Sequence, residues 1–149
     1  MDVRPARPAD FVSIRLRPEQ EHSRSSLLTC ANHPDIVEHA WCGHRGNTIL
    51  AIAGIQPRWP GHGTAWAFIS SDIRGREWVS ITREVRDHAD RALATGYRRI
   101  ESWCYAEPVE WAEVASRWLE RLGFEYEGRA RQFTPEGDDM LIYARVRHG

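Results

Sequence analysis

The sequence predicts an α/β domain: a mixed central sheet of about seven strands with helices on both faces. Three observations lead there. Trp66-Ala-Phe-Ile-Ser70 is an apolar run of buried-strand length and composition. After it Trp78, Ile81, Val85, Ala89, Ala92 and Leu93 recur at helical spacing up to Gly96, a C-terminal cap, and a second strand follows over residues 99–105. A strand, a crossover helix and a neighbouring strand imply parallel pairing, with the helix packed on the sheet.

The remaining elements follow in chain order. Residues 2–7 read as a short edge strand weakened by Pro5. Helices are expected over 8–15 and 18–29, each opened by a proline that suits a first helical turn. Residues 30–35 read as a loop. Strands over 38–44 and 48–56 form a hairpin around Gly46-Asn47, and 57–63, with Pro57, Pro60, Gly61 and Gly63, reads as a loop. Beyond the second strand, Trp111, Val114, Ala115, Trp118, Leu119 and Leu122 make one apolar helical stripe ended by Gly123, and two further strands close the chain. No repeat, low-complexity tract or interior linker is present, so 1–149 reads as a single domain.

Composition excludes several classes. No apolar run approaches the ~18 residues of a membrane span, and the Arg- and Pro-rich start lacks a signal peptide's apolar region. The net charge of −1 provides no broad pull toward nucleic acid or membrane. All 20 basic residues are arginine, which excludes lysine-based covalent chemistry. Cys30, Cys42 and Cys104 are too few and unpatterned for a disulfide framework, so a reducing interior is expected.

The order strand, two helices, hairpin, strand, helix, strand, helix, strand, strand resembles the GNAT fold, the acyl-CoA N-acyltransferase superfamily, over nearly the whole chain. Trp118-Leu-Glu-Arg-Leu-Gly-Phe124 with Glu125-Tyr-Glu-Gly-Arg129 is similar to that superfamily's terminal helix and next strand, and Leu50-Ala-Ile-Ala-Gly54 to its second and third strands. More narrowly, Trp66-Ala-Phe-Ile-Ser-Ser-Asp72 and Arg117-Trp-Leu-Glu-Arg-Leu-Gly-Phe124 resemble the GNAT-fold internal virion or assembly proteins of tailed phages and prophages.

The resemblance implies where a cofactor would sit. In the superfamily the acyl-CoA diphosphate lies at the N-terminus of the helix after the fourth strand, on bare N–H groups of an Arg/Gln-x-x-Gly-x-Gly/Ala loop. This chain reads Ser71-Asp-Ile-Arg-Gly-Arg-Glu-Trp78. With Arg74 in the first position, Glu77 and Val79 replace the small residues; with Gly75 as first glycine, Asp72 and Glu77 intrude. Either register sets Glu77 near the diphosphate. The cofactor-binding candidates are the backbone of Phe68, Ile69 and Ser70, for a pantetheine arm, together with Arg74, Gly75 and Arg76. The same stretch also reads as Asp72 capping the helix, Glu77 in its first turn and both arginines solvated.

The expected catalytic positions are depleted. Where many superfamily members carry an Asn and a proton-donating Tyr on the last helix, this chain has Ala112 and Leu119. The substitutes are Glu101 and Tyr105 on the following strand, with Tyr126 beyond the last helix. Cys30, His33, His39 and Cys42 have zinc-like spacing, but His39 and Cys42 on one strand would face opposite ways, so no metal is expected. Arg129, Arg131, Arg145 and Arg147 form either a small anion patch or solvated edges paired with Asp138 and Asp139. Trp59, between Arg58 and Pro60, would cover a cleft, anchor a partner or pack on its own domain.

These readings lead to a phage- or prophage-type GNAT-fold protein with a degenerate acyl-CoA site, working with other virion or assembly proteins. The alternative is an acetyl-CoA-dependent N-acetyltransferase acting on a small-molecule or protein amine. Acetyl-CoA is the expected cofactor if the protein is active, and none otherwise. The expected location is the cytoplasm of a bacterial or phage-infected cell, or the virion.

Overall fold

The computed structural model describes residues 1–148. The elements run β1 (Asp2–Pro5), α1 (Pro8–Ser13), a 3-10 turn (Pro18–Ser23), α2 (Arg24–Ala31), α3 (Pro34–Glu38), β2 (Ala40–Arg45), β3 (Thr48–Trp59), β4 (His62–Ile69), α4 (Glu77–Thr95), β5 (Arg99–Tyr105), α5 (Val109–Arg121), β6 (Glu125–Ala130) and β7 (Met140–Val146). The strands form one seven-stranded mixed sheet in the order β1-β2-β3-β4-β5-β7-β6. β4 and β5 are adjacent and parallel, as the crossover helix requires. The β1–β2, β2–β3, β5–β7 and β6–β7 pairs are antiparallel.

The chain divides into two compact units, Met1–Gln56 with Ala65–Val85, and Pro57–Thr64 with Arg86 onward. In the first unit, Phe11, Ile14, Leu16, Leu27, Cys42, Ile52 and Phe68 form one apolar cluster. Beside it Asp10, 4% exposed, holds Arg4 by two hydrogen bonds of 2.8 Å and accepts the Arg7 N–H at 2.8 Å. Burial works to raise the Asp10 pKa, but the Arg4 fork and the Arg7 N–H outweigh it and hold the carboxyl below its ordinary value. Gly54 is required by close packing, because a Cβ there would lie 2.6 Å from the His39 carbonyl oxygen and 3.0 Å from the Trp66 ring.

In the second unit, Ile100, Leu119, Leu122, Phe124 and Tyr143 are buried. α5 stops where expected: Gly123 adopts φ +93°, and the Phe124 N–H turns back to the Leu119 carbonyl at 3.0 Å.

Several expectations need correction. The helix expected over 18–29 is a 3-10 turn followed by α2, and α3 occupies the expected loop and the start of the expected strand. The expected loop over 57–63 is mostly strand; β3 and β4 run on to a tight turn at Pro60-Gly61, where Gly61 adopts φ +85°. Pro57 sits near that exposed tip. The α5 stripe is rotated, since Ala112, Leu119 and Leu122 are buried whereas Trp111 and Val114 are 39% and 47% exposed. No helix among the described residues is long and apolar enough to cross a membrane.

Candidate functional site

At the junction between β4 and α4, the turn is closed by the Glu77 N–H donating to the Arg74 carbonyl at 3.0 Å, with Gly75 at φ +49°. The Glu77 side chain folds back over this turn. Its Oε1 accepts the Arg74 N–H at 2.8 Å and the Arg45 guanidinium at 2.6 Å, and Arg45 also reaches the Asp72 carbonyl at 3.4 Å. Burial acts to raise the Glu77 pKa, but the Arg74 N–H and Arg45 outweigh it and leave the carboxyl below its ordinary value. A carboxylate at a helix N-terminus is also favoured by the helix dipole. Glu77 is therefore an internal anion, seated on a backbone donor at the entry to α4.

Asp72 does not cap the helix. Its N–H binds Ser70 Oγ at 2.9 Å and its carboxylate meets Arg15 at 3.5 Å. Arg74, Gly75 and Arg76 are exposed, and neither arginine side chain has a hydrogen-bond or ion-pair partner among the described residues.

The second feature is the edge of β4 itself. Phe68, Ile69 and Ser70 are buried, and the Ser70 N–H donates to the Leu50 carbonyl of β3 at 2.9 Å. Successive residues of a strand present their polar groups to opposite edges. Ala67, Ile69 and Ser71 therefore point away from β3. Four of those groups are engaged by the chain itself. Gln20 Nε2 donates to the Ala67 carbonyl at 3.0 Å, and Gln20 Oε1 accepts the Ile69 N–H at 2.7 Å. The Ile69 carbonyl accepts the Arg17 N–H at 3.1 Å, and the Ser71 N–H reaches the Arg15 carbonyl at 2.8 Å. Leu16 and Ser70 thereby form an isolated antiparallel bridge.

Glu101 and Tyr105 lie in the second unit, on β5. Glu101 is committed to neighbours: Oε2 lies 2.5 Å from His62 Nε2, and Oε1 lies 3.3 Å from Arg99. Arg99 also pairs with Glu127. The Trp59 ring centroid lies 4.3 Å from that of His62, with the planes tilted by 48°, and Trp59 is 62% exposed at the hairpin tip. Together with Pro57, Arg58, Gly61 and Tyr97 it borders an open depression of about 410 Å³.

Tyr105 pairs in register with Met140, and Tyr126 is 55% exposed on β6. Arg129 is held by Asp139 at 2.7 Å and Glu107 at 3.5 Å, and Arg145 by Asp90 at 2.8 Å, so these two arginines are ion-paired rather than a free anion patch.

No group of three or more His, Cys, Asp or Glu among the described residues could hold a metal ion. Burial raises all three thiols, with Cys42 pushed up to about 11, the opposite of an activated nucleophile.

Gln20 and Arg45 were not singled out from the sequence. A lone Gln in a 3-10 turn and a lone Arg at a strand end carry no motif, and their partners lie 47 and 32 residues away.

No protein-family model matches the chain, and no curated protein does. Solved structures do match. Ard1 from Thermoplasma volcanium aligns over 99% of this chain and 98% of its own at 11% identity, with a TM-score of 0.72. The ribosomal-protein-S5-alanine acetyltransferase of Vibrio fischeri aligns over 97% and 92% at 18% identity, TM-score 0.63. YncA of Salmonella typhimurium, solved with its cofactor acetyl-CoA, aligns over 100% and 95% at 11% identity, TM-score 0.67.

The chain has the GNAT fold. A GNAT cofactor site needs free N–H groups at the entry to the helix after the fourth strand and an open fourth-strand edge. Here Glu77 covers the Arg74 N–H, and Gln20 with Arg15–Arg17 covers the β4 edge. In this geometry the residues do not fit an acyl-CoA.

Proposed function

We propose that this GNAT-fold protein has lost the ordinary acyl-CoA site and acts through contacts with other proteins, in the virion or assembly role that its sequence resemblance to phage and prophage proteins implies. The observation that carries the loss of the site is Glu77. Its carboxylate takes the Arg74 N–H and the Arg45 guanidinium, two donors that would otherwise be open to an incoming diphosphate. A diphosphate would meet a like charge at close range. The depleted last helix supports the same reading: Ala112 and Leu119 are both buried and neither can transfer a proton. The assembly role itself rests on sequence resemblance alone.

A second reading, an acetyl-CoA-dependent N-acetyltransferase, is favoured by the fold neighbours, one of them solved with acetyl-CoA. It would require Glu77 and Gln20 to yield their partners.

Isothermal titration of the full chain with acetyl-CoA separates the two. No heat at millimolar ligand is the expected result. Low-micromolar affinity, or CoA release that depends on an added amine, would overturn the first reading.

A further inference from the structure

The two bonds made by Gln20 have a specific pattern. In parallel β pairing, a residue donates to the carbonyl just before its opposite number and accepts from the N–H just after it. Gln20 does this with one side chain: Nε2 to the Ala67 carbonyl at 3.0 Å and Oε1 from the Ile69 N–H at 2.7 Å, opposite Phe68. The carboxamide thus imitates one residue of a parallel neighbour. It is held in place by the Arg17 N–H on the Ile69 carbonyl and by the Arg17–Glu19 pair at 2.6 Å, on either side of Pro18.

We propose that Gln20 is a built-in surrogate for an extended amide chain, and that it decides whether the β4 edge accepts such a ligand. This rests on the reading that the chain's own groups fill the cofactor site. The chemistry also specifies the ligand. A secondary amide is trans and planar, so its N–H and C=O point in opposite directions. Only a primary carboxamide makes both bonds from a single amide on one side. A chain ligand replacing Gln20 must supply an N–H from one amide and a C=O from the next. The class is therefore a diamide chain, such as the pantetheine arm of an acyl-CoA, and a single-amide thiol lacks the second group.

The test uses pantetheine, which has no diphosphate and so leaves Glu77 out of the outcome. Amide ¹⁵N–¹H spectra of the full chain are recorded for the parent, Gln20→Ala and Gln20→Met, the last keeping side-chain length without the carboxamide. The expected result is a saturable shift of the Phe68 and Ile69 amides in both variants, at least tenfold tighter than in the parent. N-acetylcysteamine, with one amide, should shift neither residue in any protein.

Equal binding by the parent, or silence from a variant whose spectrum stays dispersed, overturns the proposal. Hydrogen exchange in the parent tests it without any substitution, since the Ile69 N–H should be protected and exchange at an open-loop rate refutes the closed edge. Silent variants beside a silent parent would reject this inference alone. Low-micromolar acetyl-CoA binding by the parent would reject the reading beneath it.

Discussion

Replacing Glu77 by Ala removes one acceptor from two donors, and the cost can be worked from their surroundings. The Arg45 and Glu77 side chains are 32% and 15% exposed. Their pair therefore falls between surface bridges at about 0–1 kcal/mol and buried pairs that cost about 3–5 kcal/mol to break, giving roughly 1–2 kcal/mol. The Arg74 N–H belongs to an exposed residue, so water replaces much of what it loses, and a cap-like loss of about 0.5–1 kcal/mol applies. The expected total is about 1.5–3 kcal/mol, a fall in Tm of roughly 3–12 °C for a chain of this size.

Glu77→Gln keeps an acceptor for Arg74 and should cost about half as much. A double-mutant cycle with Arg45→Met, read by urea unfolding, should return a coupling of about 1–2 kcal/mol. Protonation provides a further check. Glu77 has a folded-state pKa below its ordinary 4.5, so the unfolded chain binds the extra proton as pH drops. The stability advantage of the parent over Glu77→Gln should be complete above about pH 4.5 and shrink as pH falls through the folded-state value. Additivity of the two substitutions, or a gap that widens in acid, would refute the internal-anion account.

Three further outcomes are expected. Asp10→Ala leaves the partly exposed Arg4 guanidinium without its two carboxylate bonds and should cost about 2–4 kcal/mol by denaturant titration, with Asp10→Asn less severe. Gly54→Ala should cost about 1–3 kcal/mol, because the contact at 2.6 Å is with backbone and has little room to relax; a neutral melt would contradict that. Leu119→Tyr should disturb packing at a 6% exposed position by about 1–3 kcal/mol and create no CoA release across a panel of amines, whereas acceptor-dependent release would argue for a working transferase.

The parts of the fold that could be read from sequence are those whose causes are local. β5 matches its expected bounds, and Gly123 ends α5, because alternation and capping act within a few residues. The hairpin tip was misjudged because Pro57, Pro60 and Gly61 have loop composition, yet a proline is tolerated in an exposed strand end that needs no N–H there. α5 carries apolar residues on more than one side, with Trp111 and Val114 competing with Ala112 for the stripe, so periodicity alone did not choose the buried face. At the candidate site, Glu77 was legible because it interrupts a glycine-rich position. Gln20 and Arg45 act on backbone groups far away in the chain, and such partnerships follow from the fold rather than from spacing.

The bridge between Leu16 and Ser70 has a consequence for how the protein survives without a ligand. A strand reading Trp66-Ala-Phe-Ile69 with unpaired donors and acceptors along one side is a template for another chain to add to. In a protein that keeps that side for a cofactor, the cofactor can also shield it. Here the segment from Arg15 to Gln20 does the shielding, so the strand is covered by the chain itself rather than by a small molecule. Loosening that segment should therefore show first as self-association, before any loss of secondary structure.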